Sequence, residues 1–226
     1  LLFAGRASNH LLQLRIKMLI STTQQFNSYK EFKNPPAGSH IGRLYKIVDI
    51  GTQIGEWQGK ATQARKMIFY FELHGEDDKG LPLLNDDGKP LICTKYYNAS
   101  LGEKSTLRKH LQSWLHLDFS SMPQGFQVES ILGKFAMVNI TTYQKDGKSR
   151  ALIEGLSAVP AIVAKHGLPD GFNDIFMFDL NKFDSAKFDS LSDGVKKIII
   201  DSPEYRKLTK QTEPVEATNF DDDIPF

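Results

Sequence analysis

Between His40 and Pro160 the chain alternates apolar and polar residues five times over and breaks the pattern once, with a helix. Side chains on a strand point to opposite faces in turn, so such alternation marks a strand with one face in a core. The first run is Ile41–Ile50 and the second Arg65–Leu73, where Met67, Phe69, Phe71 and Leu73 share one face and Lys66, Ile68, Tyr70 and Glu72 the other. A Gly-rich polar loop, 51–63, separates them, and an acidic loop with two prolines, 74–90, precedes the third run, Leu91–Tyr97. Ser100-Leu-Gly-Glu103 matches a capping box, and Leu107, Leu111, Trp114 and Leu115 follow as one helical stripe. Lys134–Tyr143, the turn Lys145-Asp-Gly147 and Ser149–Val159 complete the series.

Strand, strand, strand, helix, strand, strand is the order of the OB fold, a partly open Greek-key barrel whose second and third strands and neighbouring loops bind oligonucleotides. Another small barrel or an α+β sandwich could share that order. The expected fold is therefore mainly β: a five-stranded OB-type barrel over 38–167, with one helix between its third and fourth strands. A helical extension follows over 168–210, where Phe172, Phe176, Phe178, Phe183 and Phe188 are apolar anchors. Ser202-Pro203-Glu204 opens a helix, with Ser as N-cap and Pro at the first helical position. From Gln211 there are five acids and no bases, which predicts a disordered acidic tail over 211–226. Residues 1–37 read as an N-terminal extension with Met18 as a plausible true start, and neither a signal peptide nor a membrane span is expected there.

Composition excludes more than it assigns. A net charge of +1 leaves the partner open, and the single cysteine, Cys93, excludes a disulfide framework or a Cys-rich zinc site. A cytoplasmic protein without cofactor or metal is expected. Gly55-Glu-Trp-Gln-Gly59-Lys60 is one residue short of a phosphate loop and leads into a strand rather than a helix. Asp221–Asp223 lack the preorganised geometry of a catalytic metal site. No catalytic constellation emerges, so no enzyme is expected.

Charge distribution says more than the total. Residues 40–160 hold fifteen Lys/Arg against thirteen Asp/Glu, but five of those acids lie in the loop 74–89 with only Lys79 and Lys89; elsewhere the count is thirteen against eight. A groove for single strands needs cations along the phosphates and aromatic faces for the bases. Candidates for nucleic-acid binding are Trp57 and Lys60 in the first loop, Arg65, Lys66 and Tyr70 on the second strand, and Lys95 and Tyr97 on the third, with Tyr96 in place of Tyr97 if that strand faces the other way. Lys145, Lys148 and Arg150 flank the last turn. Basic and aromatic residues alternate on many sheets, so each pair gains its meaning from the fold.

The ending Phe220-Asp-Asp-Asp-Ile-Pro-Phe226 joins an acidic run to an apolar tip. A basic rim would attract Asp221, Asp222 and Asp223, while Ile224, Pro225 and Phe226 offer a pocket-filling ring and a terminal carboxylate. A solubilising tail would explain the acids but not the apolar tip.

Residues 219–226 resemble the C-terminal tip of bacterial single-stranded DNA-binding proteins. That resemblance implies docking of helicases, nucleases and primase-associated factors on Asp221–Phe226, and competition of the acids with DNA for the groove. The body differs from the cellular family in its opening strand and is similar to a bacteriophage single-stranded DNA-binding family. The matching stretches are IVDIGTQIGEWQGKATQARK (47–66), YYNASLGEKSTLRKHLQSW (96–114), LGKFAMVNI (132–140) and DSPEY (201–205). The resemblance implies an OB fold, strand protection during replication, recombination or repair, and an oligomeric state left open. Two other functions fit the same residues: a strand-annealing recombination protein, and a decoy adaptor that occupies host repair proteins through its tail.

Overall fold

The computed structural model describes residues 33–57, 59–122 and 125–212, without the side chains of Trp57, Gln211 and Thr212. The expectations for residues 1–32 and for the acidic tail lie outside the described residues. The fold is mainly β, a six-stranded open sheet with short helices. Its strands are β1 (Gly38–Trp57), β2 (Lys60–His74), β3 (Ile92–Asn98), β4 (Phe135–Lys145), β5 (Lys148–Ser157) and β6 (Phe176–Phe178). Five of them run antiparallel in the order β3-β2-β1-β4-β5, and β6 adds parallel to β1 at Lys46–Val48, just past the point where β4 leaves that edge.

The inner face buries Leu44, Ile47, Phe69, Phe71, Leu73, Ala136, Val138, Ile140, Ile153 and Leu156. Helix α1 (Thr106–Leu115) closes one end of this core with Leu107, Leu111 and Trp114, and the Trp114 indole N–H donates to Phe135 O at 2.6 Å. The edge strands β3 and β5 approach each other without a ladder: Lys95 Nζ donates to Ile153 O at 2.6 Å, and His110 of α1 hydrogen-bonds Glu154 O.

Two local expectations change, and a third gains detail. The helix starts at Thr106, not after Ser100: Ser105 is the N-cap, its Oγ accepting from Arg108 N, while Ser100 Oγ receives Gly102 N in a tight turn. The polar segment 51–63 is not a loop but the outer half of a hairpin, in which Thr52–Trp57 pairs with Lys60–Arg65. Both its faces are solvated, so no hydrophobic period betrayed the strands. Gly51, at φ +69°, sits in a register shift that turns β1 into this arm. Finally, the acidic segment 74–90 is two successive turns of the same build. Asp77 Oδ1 accepts from Lys79 N and Leu81 N, and Asn85 Oδ1 from Asp87 N and Lys89 N, with Leu83 and Leu91 buried beneath.

Beyond a short helix, α2 (Ala161–Lys165), residues 168–210 fold onto the outer face of β1 and β2. Val48, Ile50 and Ile68 form a second core with Phe178, Leu180, Phe188, Leu191, Val195 and Ile199. These come from β6, the 3-10 turn Leu180–Lys182, α3 (Ser185–Asp189), the turn at Leu191 and α4 (Asp193–Ile200), with Tyr205 of α5 (Pro203–Thr212) stacked on Phe188 at 5.4 Å. Ser202 caps α5, receiving Tyr205 N at 3.2 Å. Phe172, by contrast, is 54% exposed and is not part of this core; its backbone N–H is held by Glu72.

Two buried carboxylates pin the extension. Glu72, fully buried, accepts from Phe172 N, Asn173 N, Asn173 Nδ2 and Arg43 at 2.6–3.0 Å. Burial pushes its pKa up, but the Asn173 and Arg43 hydrogen bonds outweigh that and leave it lowered. Gly171 passes so close to the Arg43 guanidinium that a Cβ there would collide with it. At the other end, Asp49 receives Arg65, Gly51 N and Leu180 N, while Glu204 receives Thr52 N at 2.9 Å and Thr52 Oγ1 at 2.6 Å. The stretches 47–66 and 201–205, far apart in the chain, therefore meet as one polar joint.

Candidate nucleic-acid interface

The extension covers only part of the outer face. Pairing sets a row at its margin: Thr94 of β3 stands beside Tyr70 of β2, Tyr70 beside Lys46 of β1, and Lys46 beside Phe176 of β6, with Tyr70 and Phe176 also packed against the second core. One step along, Tyr96 stands beside Ile68, and the next outward pair is Lys66 and Asn98. The Lys46 ammonium lies 5.1 Å from the Tyr70 ring centre and 4.7 Å from that of Phe176, a cation held between two π-faces. Burial lowers the Lys46 pKa and pushes the Tyr70 hydroxyl up to about 12. Tyr96 is 52% exposed and close enough to Tyr70 to add to that rise. Tyr45 occupies the bulge between Leu44 and Lys46 and meets Tyr70 edge-on at 6.4 Å.

The two ends of β2 differ in charge. The acidic turns follow β2 at His74, beyond the Glu72–Ile92 pair, whereas the opposite end carries Lys66, which has no ion-pair partner among the described residues. Beyond Lys66 the β1–β2 hairpin projects, with Lys60 exposed at its tip. A second hairpin leaves the sheet where β4 passes Ile140: from there β4 pairs only with β5, and all ten residues from Thr141 to Arg150 are exposed. It carries Tyr143, Lys145, Lys148 and Arg150, with Arg150 only 3.9 Å from exposed Asp146. The two segments that connect β1 to β2 and β4 to β5 are thus both two-stranded arms.

Set against the sequence expectations, Lys66 and Tyr70 lie on the outer face, though Tyr70 is half-buried, and Lys145, Lys148 and Arg150 sit on a free arm. Lys60 is exposed, and the Trp57 side chain lies outside the described residues. Three placements need correction. Arg65 is bound by Asp49, whose hydrogen bond raises its pKa, so its charge is already paired within the fold. Tyr97 is 2% exposed, with its hydroxyl 2.7 Å from His110 Nδ1, and burial drives its pKa upward. Lys95 points to the same inner side, where burial lowers its pKa. The third strand therefore faces opposite to the Lys95–Tyr97 assignment, and Tyr96 takes the outer position.

Lys46 and Phe176 were missed. Lys46 was visible as a charge in the alternation of the first strand, but the bulge at Tyr45 hides its facing; Phe176 gave no signal as a site residue, because its neighbour is set by a parallel pairing 130 residues away in the chain. No family model matches this chain, and none of the curated proteins is significantly similar to it.

Proposed function

We propose that this protein binds single-stranded DNA on the outer face of an OB-type sheet and protects it during replication, recombination or repair. It does so without cofactor or catalysis. The observation that carries this reading is the row of Tyr70, Lys46 and Phe176 across β2, β1 and β6, with exposed Tyr96 of β3 one pair along from Tyr70. Aromatic faces stack any base, and ammonium groups beside them take phosphate, so such a row favours single strands over duplex, whose bases are already stacked. Lys66 and the two hairpin arms supply further cations on either side. The strand order, with a helix between β3 and β4, supports the OB assignment, in which the face of the second and third strands and the flanking loops hold oligonucleotides. The segment Asp221–Phe226 recruits replication and repair proteins, and the setting is the cytoplasm of a bacterial host.

The test is fluorescence anisotropy of labelled oligo-dT against a matched duplex, over a range of salt. Binding should be far tighter for oligo-dT, and log affinity should fall linearly with log salt through counterion release. Equal affinity for duplex and single strand would remove the basis of the proposal.

A further inference from the structure

A cavity of about 470 Å³ opens between β3 and the segment that leads into α1, beside the stacking row. That is room for a nucleotide-sized ligand. Its walls carry Lys95, Asn98, Ser100, Lys104 and Thr106, with Tyr96 and Tyr97 along β3, and none of the lining residues is acidic. Lys104 is exposed and has no ion-pair partner among the described residues. Lys95 is half-buried and donates to Ile153 O, while an ammonium has three donors. Burial works against its charge, and Glu154 of β5 and Cys93 offset this only partly. Two cations, one of them desolvated, thus face a polar space with no carboxylate in its wall. The end of α1 is not the attraction, because Ser105 Oγ already receives Arg108 N–H and donates to Ser100 O. Tyr96 belongs to both the outer face and the cavity wall, so a strand that crosses β3 passes from one to the other.

We propose that this cavity is a nucleotide subsite. It holds the phosphate of one residue of the bound strand, next to the base stacked on Tyr96, with Lys104 and Lys95 facing that phosphate and Asn98 and Ser100 facing the attached sugar and base edge. The subsite rests on the single-strand reading above. It adds a point at which the strand leaves the sheet over the open β3 edge.

The experiment titrates oligo-dT into the full chain and into Lys104→Gln at several salt concentrations, and follows wild-type amide shifts on adding dTMP, thymidine or inorganic phosphate. Lys104 is exposed, so the variant keeps its fold. The expected result is a several-fold weaker affinity at low salt and a salt slope smaller by about 0.7, one single-strand phosphate. dTMP should move the amides of residues 98–106, and thymidine should leave them in place. If Lys104→Gln titrates like wild type and dTMP moves nothing there, the subsite is refuted while single-strand binding stands. Equal shifts from inorganic phosphate, with an unchanged oligo-dT slope, would make the cavity a free-anion site and overturn the assignment. A wild-type chain that ignores oligo-dT would sink both readings.

Discussion

Tyr96 and Tyr97 are neighbours in sequence, and replacing each by alanine should have opposite consequences. Tyr96 is 52% exposed on the outer face and makes no hydrogen bond with its hydroxyl among the described residues, so its loss removes a stacking surface and little else. One base stack is worth about 1–3 kcal/mol, so oligo-dT affinity should fall about 5- to 140-fold while the urea midpoint stays near that of wild type. Tyr97 is 2% exposed, packs edge-on against Phe69 at 4.9 Å, and offers its hydroxyl to His110 Nδ1. His110 Nε2 faces the Glu154 carbonyl and must donate to it, so Nδ1 is the acceptor for the Tyr97 O–H. Truncating a large core aromatic costs about 3–5 kcal/mol, and the orphaned imidazole nitrogen about 1–3 more. Against a usual domain stability of about 5–15 kcal/mol, Tyr97→Ala should be severely destabilised or unfolded. Anisotropy with oligo-dT and urea unfolding monitored by circular dichroism separate the two. A Tyr96→Ala protein that binds like wild type, or a well-folded Tyr97→Ala protein that has lost affinity, would show that the facing of β3 has been misread.

Glu72→Ala strips the anion from half-buried Arg43 and frees the Phe172 and Asn173 N–H groups, so it should cost about 3–5 kcal/mol and speed amide exchange at 172–173; a loss under about 1 kcal/mol would mean the extension is held by its apolar core alone. The Glu72 pKa is lowered in the folded state, so its stabilisation is complete above the ordinary glutamate value of about 4.3 and fades as pH drops towards the folded-state value. Urea midpoints measured downward from pH 6 should fall for wild type, and Glu72→Gln should lose part of that slope. Joint replacement of Lys148 and Arg150 by Gln should reduce the oligo-dT salt slope by about 1.4, two single-strand phosphates, with stability changed by under about 0.5 kcal/mol; an unchanged slope would place the strand away from the β4–β5 arm. Deleting Phe226 should abolish capture of repair proteins from a bacterial lysate and leave oligo-dT affinity as it was, and retention of the same partners would reduce the segment to a solubilising appendage.

Local patterns were legible where one neighbour dominates. The alternation of Met67, Phe69, Phe71 and Leu73 announced the inner face of β2, the stripe from Leu107 to Trp114 announced α1, and Ser202-Pro203-Glu204 announced the start of α5. In each case the periodicity of burial, or the need to satisfy helix-end N–H groups, is written into adjacent residues. The helix start at Ser105 rather than Ser100 shows the limit: the capping-box pattern is present at Ser100–Glu103, yet Ser100 receives Gly102 N in a turn and Ser105 receives Arg108 N at the helix start.

The outer face was decided by contacts that no window of sequence contains. A period of two distinguishes the two sides of a strand but not which side lies inward, and a single bulged residue such as Tyr45 inverts the phase. Hence Tyr96 and Tyr97 could not be told apart until α1 and β5 surrounded one of them. Arg65 read as a free cation because Asp49, Asp179 and Glu204 come from three other segments. Lys46 became part of a site only when Tyr70 and Phe176 closed on it from β2 and β6. The order of β1 to β5 with α1 between β3 and β4, the inner core and the supply of cations and rings follow from local sequence, whereas β6 and the outer arm of β1 and β2 do not. Which of those cations remain available to a ligand was settled only by the tertiary structure, because a charge is free or spent according to what lies within a few ångströms of it, and those neighbours arrive from distant parts of the chain.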